Sequence, residues 1–481
     1  MRSIDALVIL IYLIGIVGVG LRYRGRSGDA VDFFSARAGF RGMFGSVVVG
    51  LSLAATLFSG ISFVVYTSTA FSDGIRILLG IVGLFFAWVV LRFWFLPRFL
   101  SDCGEHPYDI IERKFGGPTR LILSAMFMLL RLGWMAVMLI APTLVVLGAA
   151  NLGAEWFWPV IIITGLSCTL YSAIGGIRSV IITDAVQFLI MILGVLFIIV
   201  FMLQRLELPP GGAWQSLSET GRLRLLDFSL DPTKSFTFWG LVFGLGLAGL
   251  GNYLGDLMML QRYMAAESPR SAARAAGINF LGVVILISLL VTCGLLLWLW
   301  YQQRPDPNLP AKADQVLAYF VARELPPGMA GLLIAAILSA TMSSMTSGIV
   351  ALAGTFTQDW VQRFGRVRTQ RELIGIGRVV SVVAGLVAIL LAGFAGNLGT
   401  LFQISQAALG AFLGPMLGCM VLAASNAAVK PGAVITGLAL GTLTGWVIIY
   451  SPVAVVYVGA ASALVTVTVP LLLTKLRAGY L

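Results

Sequence analysis

The sequence is poor in what a water-soluble enzyme uses most. Only 11% of its 481 residues are charged, it has one histidine, and its four cysteines are scattered singly. Charge this sparse, beside 59% hydrophobic residues and a mean hydropathy of +0.96, excludes a soluble globular domain over most of the length. The histidine, His106, lies in "SDCGEHPYDIIERKFG", which has the pattern of an interfacial amphipathic helix, and a lone loop histidine is more often structural than catalytic. Cys103, Cys168, Cys293 and Cys419 have no paired spacing of the kind that marks a metal cluster or a disulfide framework. No phosphate-cradling loop or nucleophile–base pair is visible, so an integral membrane enzyme is disfavoured.

What the sequence has instead is apolar runs. Each is roughly 20 residues, the length that crosses a ~30 Å hydrocarbon core as an α-helix, and the ten-residue alternation of a membrane β-barrel is missing. Spans are expected near 4–21, 43–70, 76–97, 121–149, 155–174, 179–203, 236–260, 275–301, 327–359, 373–394, 397–424, 431–450 and 453–474, thirteen in all. An all-α integral membrane protein follows.

The net charge of +11 would suit a nucleic-acid partner, but the basic residues fall in alternate loops, as topology signals do. One set of loops holds 20 of the 32, among them Arg22, Arg41, Arg262, Arg270, Arg274, Arg363 and Arg371; the opposite set holds nine, and Arg92, Arg131 and Arg378 lie within spans. This pattern predicts the N-terminus outside, the C-terminus in the cytoplasm, and a plasma (inner) membrane location. The first apolar run lacks a small-residue cleavage site and is followed by "RYRGRS", so it is expected to be retained. The outer loops 204–235 and 302–326 are the longest, and "AKADQVLAYFVAREL" (311–325) has the period of a short surface helix.

Two spans are rich in residues that weaken a helix. "VVVGLSLAATLFSGISFVVYTSTAF" carries Ser and Gly at its middle, and "FWGLVFGLGLAGLGNYLGDLMML" is dense in glycine, which costs up to about 1 kcal/mol relative to alanine in a helix interior. Close packing through small residues explains any one glycine as well. Their placement favours unwinding, because each opens a group of five spans, 43–203 and 236–424, as in transporters built from two inverted repeats with midplane binding sites. The expected organisation is then an extra helix and linker (1–42), a first repeat (43–203), an outer loop (204–235), a second repeat (236–424) and two further helices (425–481).

"AAILSATMSSMTSGIVALAG" (335–354) places six hydroxyl side chains between Ser339 and Ser347. Ala340, Ser343, Ser344 and Ser347 share one helix face. Neutral hydroxyls with main-chain carbonyls suit a monovalent cation such as Na+, whereas interhelical hydrogen bonding by small polar residues accounts for the same face. Asp184, one turn before Gln187 at the start of span 179–203, tips the balance, since an intramembrane carboxylate calls for a cation or a buried partner. Arg131 is the other costly charge; it pairs with an acid of the protein or holds a substrate carboxylate in bidentate geometry.

The stretches "SLAATLFSGISFVVYTSTAFSDG" (52–74), "YSAIGGIRSVIITDAVQ" (171–187), "GDLMMLQRYMAAESPRSA" (255–272) and "AAILSATMSSMTSGIVALAGTFTQDW" (335–360) resemble the sodium:solute symporter family. That resemblance implies a LeuT-like core with broken first and sixth core helices. It also implies a Na+ site formed by Ala55 and Phe58 on one side and Ala340, Ser343 and Ser344 on the other. A second Na+ would use Asp184, Thr346 and Ser347 together with Ser343. Solute is expected near Ser59, Ser62 and Tyr253, with Arg131 and Gln403 from neighbouring helices. Leu57 stands where proline carriers have an acid, which argues against proline.

The expected function is sodium-coupled symport of a small organic solute bearing a carboxylate, in a lipid bilayer, with no nucleic acid and no obligate protein partner. The alternatives are a neutral solute (sugar, amino acid or vitamin) and a membrane sensor that binds solute without moving it. "LLLTKLRAGYL" carries no kinase region, which is expected to disfavour the sensor.

Overall fold

A computed structural model of the chain describes residues 3–23, 30–36, 39–150, 152–207, 209, 211–365, 369–394, 401–425 and 427–478. Among them all regular secondary structure is helical, and the one β-bridge, Phe40 to Ala266, is isolated. Nine of the described helices are long and apolar enough to cross a membrane, ten if one bent pair is counted. Two run continuously through parts of more than one expected span, Gly60–Asp102 and Ala154–Arg205; the latter covers 52 residues, far beyond the roughly 20 that one crossing needs. It is interrupted at Gly176, whose φ of +64° is open to glycine and whose missing Cβ lets the carbonyl of Phe33 approach.

Both weakened spans are broken. Gly42–Leu57 ends at Phe58, Phe58 and Ser59 are extended, and Gly60–Asp73 then resumes. The restart uses a local cap: the Ser59 N–H donates to Ser62 Oγ at 3.2 Å. A Cβ at Gly60 would lie 2.4 Å from Thr341 Oγ1, so glycine at the break is what lets the span press against the hydroxyl-rich helix. In the second broken span, Gly240–Gly255 and Leu257–Ala265 meet at 54° across Asp256. Asp256 is extended, and its Oδ1 accepts the Met258 N–H at 3.0 Å as an N-cap.

The hydroxyl-rich helix, Met329–Thr355, occupies the centre, and nearly every side chain on it is buried. Its start is fixed from the first helix, Ser3–Arg22, because Asp5 Oδ1 accepts the Gly328 and Gly331 N–H groups at 2.7 and 3.0 Å. The outer surface is apolar over long stretches, as on Phe157–Arg205, where Leu189, Leu193, Phe197 and Val200 are exposed, which suits a hydrocarbon surround. The surface helix expected at 311–325 forms as a turn at Ala313–Gln315 and a helix at Val316–Arg323. It is tied to the first broken span by Ser68 Oγ donating to Asp314 Oδ1 at 2.8 Å.

Candidate ion and solute site

The break at Phe58 leaves carbonyl groups without helical donors, and the hydroxyl-rich helix lies against it. Ser343 Oγ donates to Ala55 O at 3.1 Å and to Ala340 O at 3.0 Å. Ser344 Oγ donates to Phe58 O at 2.8 Å. The five residues implied for Na+, Ala55, Phe58, Ala340, Ser343 and Ser344, therefore meet in one buried cluster. It consists of neutral oxygens only. Carbonyls and hydroxyl lone pairs of this kind suit a hard monovalent cation, and each serine is free to rotate its proton away and offer oxygen to an ion.

The residues implied for a second Na+ sit one turn further along and are engaged differently. Asp184 Oδ2 accepts Ser52 Oγ at 2.9 Å, Ser347 Oγ at 3.2 Å and Arg262 Nη2 at 2.7 Å. Thr346 Oγ1 bonds back to Met342 O at 2.9 Å and receives the Tyr171 hydroxyl at 3.4 Å. The loop assignment of Arg262 is corrected here: it belongs to Leu257–Ala265 and is fully buried. A count of basic residues by loop misses it, because the half-helix after a break is continuous in sequence with the basic flank that follows it.

Arg131 has an acid of the protein as its partner. Its Nη2 pairs with Asp256 Oδ2, both side chains being almost wholly buried. The guanidinium thereby braces the break of the second broken span, where Asp256 is the cap. Ser59 and Ser62 are engaged with each other at the first break, and the buried Tyr253 hydroxyl has no hydrogen-bond partner among the described residues. The side chain of Gln403 lies outside the described residues.

A cavity of about 120 Å³ opens between the two broken spans, Gly80–Val89 and Leu401–Ala424. Tyr66, Leu84, Asn252, Ile287 and Leu413 are among its lining residues, and none of the described lining residues is charged. Tyr66 links it to the neutral cluster, its ring centroid 6.1 Å from that of Phe58. Neither Tyr66 nor Asn252 stands out in sequence by charge, although an asparagine inside the apolar run "GLGNYLGD" was a usable signal.

The sequence pattern of the sodium:solute symporter family matches residues 38–441. The human sodium/iodide cotransporter is 29% identical over 453 residues, 92% of this chain and 69% of that protein. The human sodium-coupled monocarboxylate transporter 1 is 29% identical over 385 residues, 78% of this chain, and the chain covers 62% of that relative's length. Among solved structures, a Na+-coupled sialic acid symporter in a substrate-bound outward-open state matches with a TM-score of 0.86 at 24% identity, covering 99% of this chain and 98% of the other. Mhp1, a nucleobase-cation-symport-1 family transporter, matches with a TM-score of 0.60 at 15% identity, covering 93% and 96%. These likenesses establish the LeuT-like fold that the broken spans suggest.

Proposed function

The chain belongs to the sodium:solute symporter family, and from that premise we propose that it couples inward movement of Na+ to import of a small carboxylate by alternating access. The observation that carries the reading is the neutral cluster, where the Ser343 and Ser344 hydroxyls face the Ala55 and Phe58 carbonyls across a helix break. Na+ at this seam would join the first broken span to the hydroxyl-rich helix and favour the form open to the outside. Release follows when the two helices part and the oxygen set is divided. Solute in the adjoining cavity would meet the ion cluster through Tyr66, whose ring packs against that of Phe58, so each is positioned to sense the other, and the effect on binding is reciprocal.

For the solute, the lining favours a compact apolar body with one polar head set against Asn252 and the Tyr66 hydroxyl. Relatives named for iodide and monocarboxylate support a singly charged anion. A neutral solute is the second reading, favoured by the engagement of Arg131 with Asp256. We place the protein in the plasma or inner membrane with thirteen crossings and the N-terminus outside, and read 43–203 and 236–424 as inverted repeats. It works as a carrier and not as an enzyme. The test is uptake into proteoliposomes of short monocarboxylates and of neutral solutes matched in size, with Na+ or choline outside. Na+-dependent uptake of a carboxylate supports the reading, and uptake indifferent to Na+ overturns it.

A further inference from the structure

The carboxylate implied for a second Na+ already holds a cation. Arg262 Nη2 donates to Asp184 Oδ2 at 2.7 Å and to Ser347 Oγ, Nε donates to Ser52 Oγ at 2.8 Å, and Nη1 donates to Met258 O at 2.8 Å. Ser52 and Ser347 in turn donate to the same Asp184 oxygen. Four of the five guanidinium N–H groups are thus satisfied inside a node with no exposed surface. We propose that Arg262 is a built-in second cation: it neutralises Asp184, so the chain binds one Na+ at the Ser343 and Ser344 cluster, and a second Na+ binds only when the guanidinium is removed. The proposal rests on the sodium reading of that cluster.

The charge balance decides it. Asp184 and Arg262 sum to zero, and a further cation beside them would stand unpaired next to a guanidinium in a medium of low dielectric, where unpaired charge is costly. Arginine is not deprotonated in proteins, so it cannot make room by becoming neutral. Without it, the Ser52 and Ser347 hydroxyls and both carboxylate oxygens would form a singly negative oxygen set; one of those oxygens, Oδ1, has no hydrogen-bond partner among the described residues. Thr346, by contrast, is turned to its own helix and to Tyr171.

The placement also couples this charge to movement. Arg262 lies on the C-terminal half of the second broken span, Ser52 on the N-terminal half of the first, Asp184 on Phe157–Arg205 and Ser347 on the hydroxyl-rich helix. If either half-helix swings, it carries the guanidinium out or strips it of a partner.

The experiment is equilibrium binding of radioactive Na+ to the purified protein, counted per chain. One ion is expected for the wild type and for Arg262→Lys, two for Arg262→Gln, and one again when Asp184→Asn is added to Arg262→Gln. Two ions in the wild type overturn the proposal while leaving sodium coupling intact, as does a count of one in a folded Arg262→Gln. No Na+ in the wild type overturns the sodium reading itself, and the proposal with it. Should Arg262→Gln fail to fold, the wild-type and Arg262→Lys counts decide.

Discussion

Two polar clusters lie one turn apart on the same helix, and they solve burial in opposite ways. At Ser343 and Ser344 every oxygen is neutral, and the hydroxyl protons rest on the Ala55 and Phe58 carbonyls. At Ser347 a full negative and a full positive charge face each other through Asp184 and Arg262. A neutral cage exchanges weak hydrogen bonds for an ion at little cost and can release it again. A buried ion pair satisfies itself, and breaking it leaves an uncompensated charge. The first cluster is suited to reversible ion binding, and the second to holding helices in place until a conformational change carries one partner away.

The largest expected effect breaks the charged cluster. Arg262→Ala should destabilise the protein by about 3–5 kcal/mol, the usual loss when one member of a buried pair is removed. Thermal unfolding in detergent checks this, and Arg262→Ala combined with Asp184→Asn should recover part of the loss; an unaltered melting temperature in the single variant would refute the pairing.

Next comes Arg131. Arg131→Gln should be similarly harmful, and combining it with Asp256→Asn should give a coupling energy of about 0.5–3 kcal/mol, as for groups in contact. Additive losses in the double-mutant cycle, together with a raised KM confined to carboxylate solutes, would return Arg131 to the solute.

The neutral cluster should respond more mildly. Ser343→Ala or Ser344→Ala should weaken Na+ activation of uptake about 10-fold, since one lost ligand is worth about 1–3 kcal/mol, with folding little changed. An unchanged Na+ response would place the ion elsewhere.

The smallest effect lies outside both clusters. His106 is buried in the segment preceding Asp109–Ala150, 3.7 Å from Asp359 Oδ1, and burial holds its imidazole below the ordinary value of 6.5 against the attraction of that carboxylate. Because the unfolded chain then binds more protons, the histidine's contribution to stability is complete above about 6.5 and declines as pH falls through that value. Melting curves from about pH 5 to 8 should show this slope, and His106→Gln should flatten it.

How far the sequence reached follows the same division. The broken spans were legible because Gly and Ser sit where helices would otherwise be strong, and the hydroxyl face was legible because 3.6-residue periodicity acts within one helix. The interruption at Gly176 agrees with the gap left between the spans 155–174 and 179–203. Ion pairs across helices were not legible. Asp184 and Arg262 are 78 residues apart, and Arg131 and Asp256 are 125 apart, so no local pattern connects them. Asp256 lies inside the expected span 236–260, but nothing local marks it as the cap of a buried half-helix or as the partner of Arg131. Tyr66 and Asn252 gain their meaning from a cavity whose lining is drawn from helices far apart in sequence.

The account turns on the neutral cluster as the place where Na+ binds. The most direct measurement is the melting temperature of purified wild-type protein and of the Ser343→Ala/Ser344→Ala double variant, each titrated with Na+ against choline at constant ionic strength. A saturable rise with Na+ in the wild type that is lost in the double variant is the predicted result, because a ligand of the folded state stabilises it by mass action. The same rise in both proteins, or an equal rise with choline, would contradict the account.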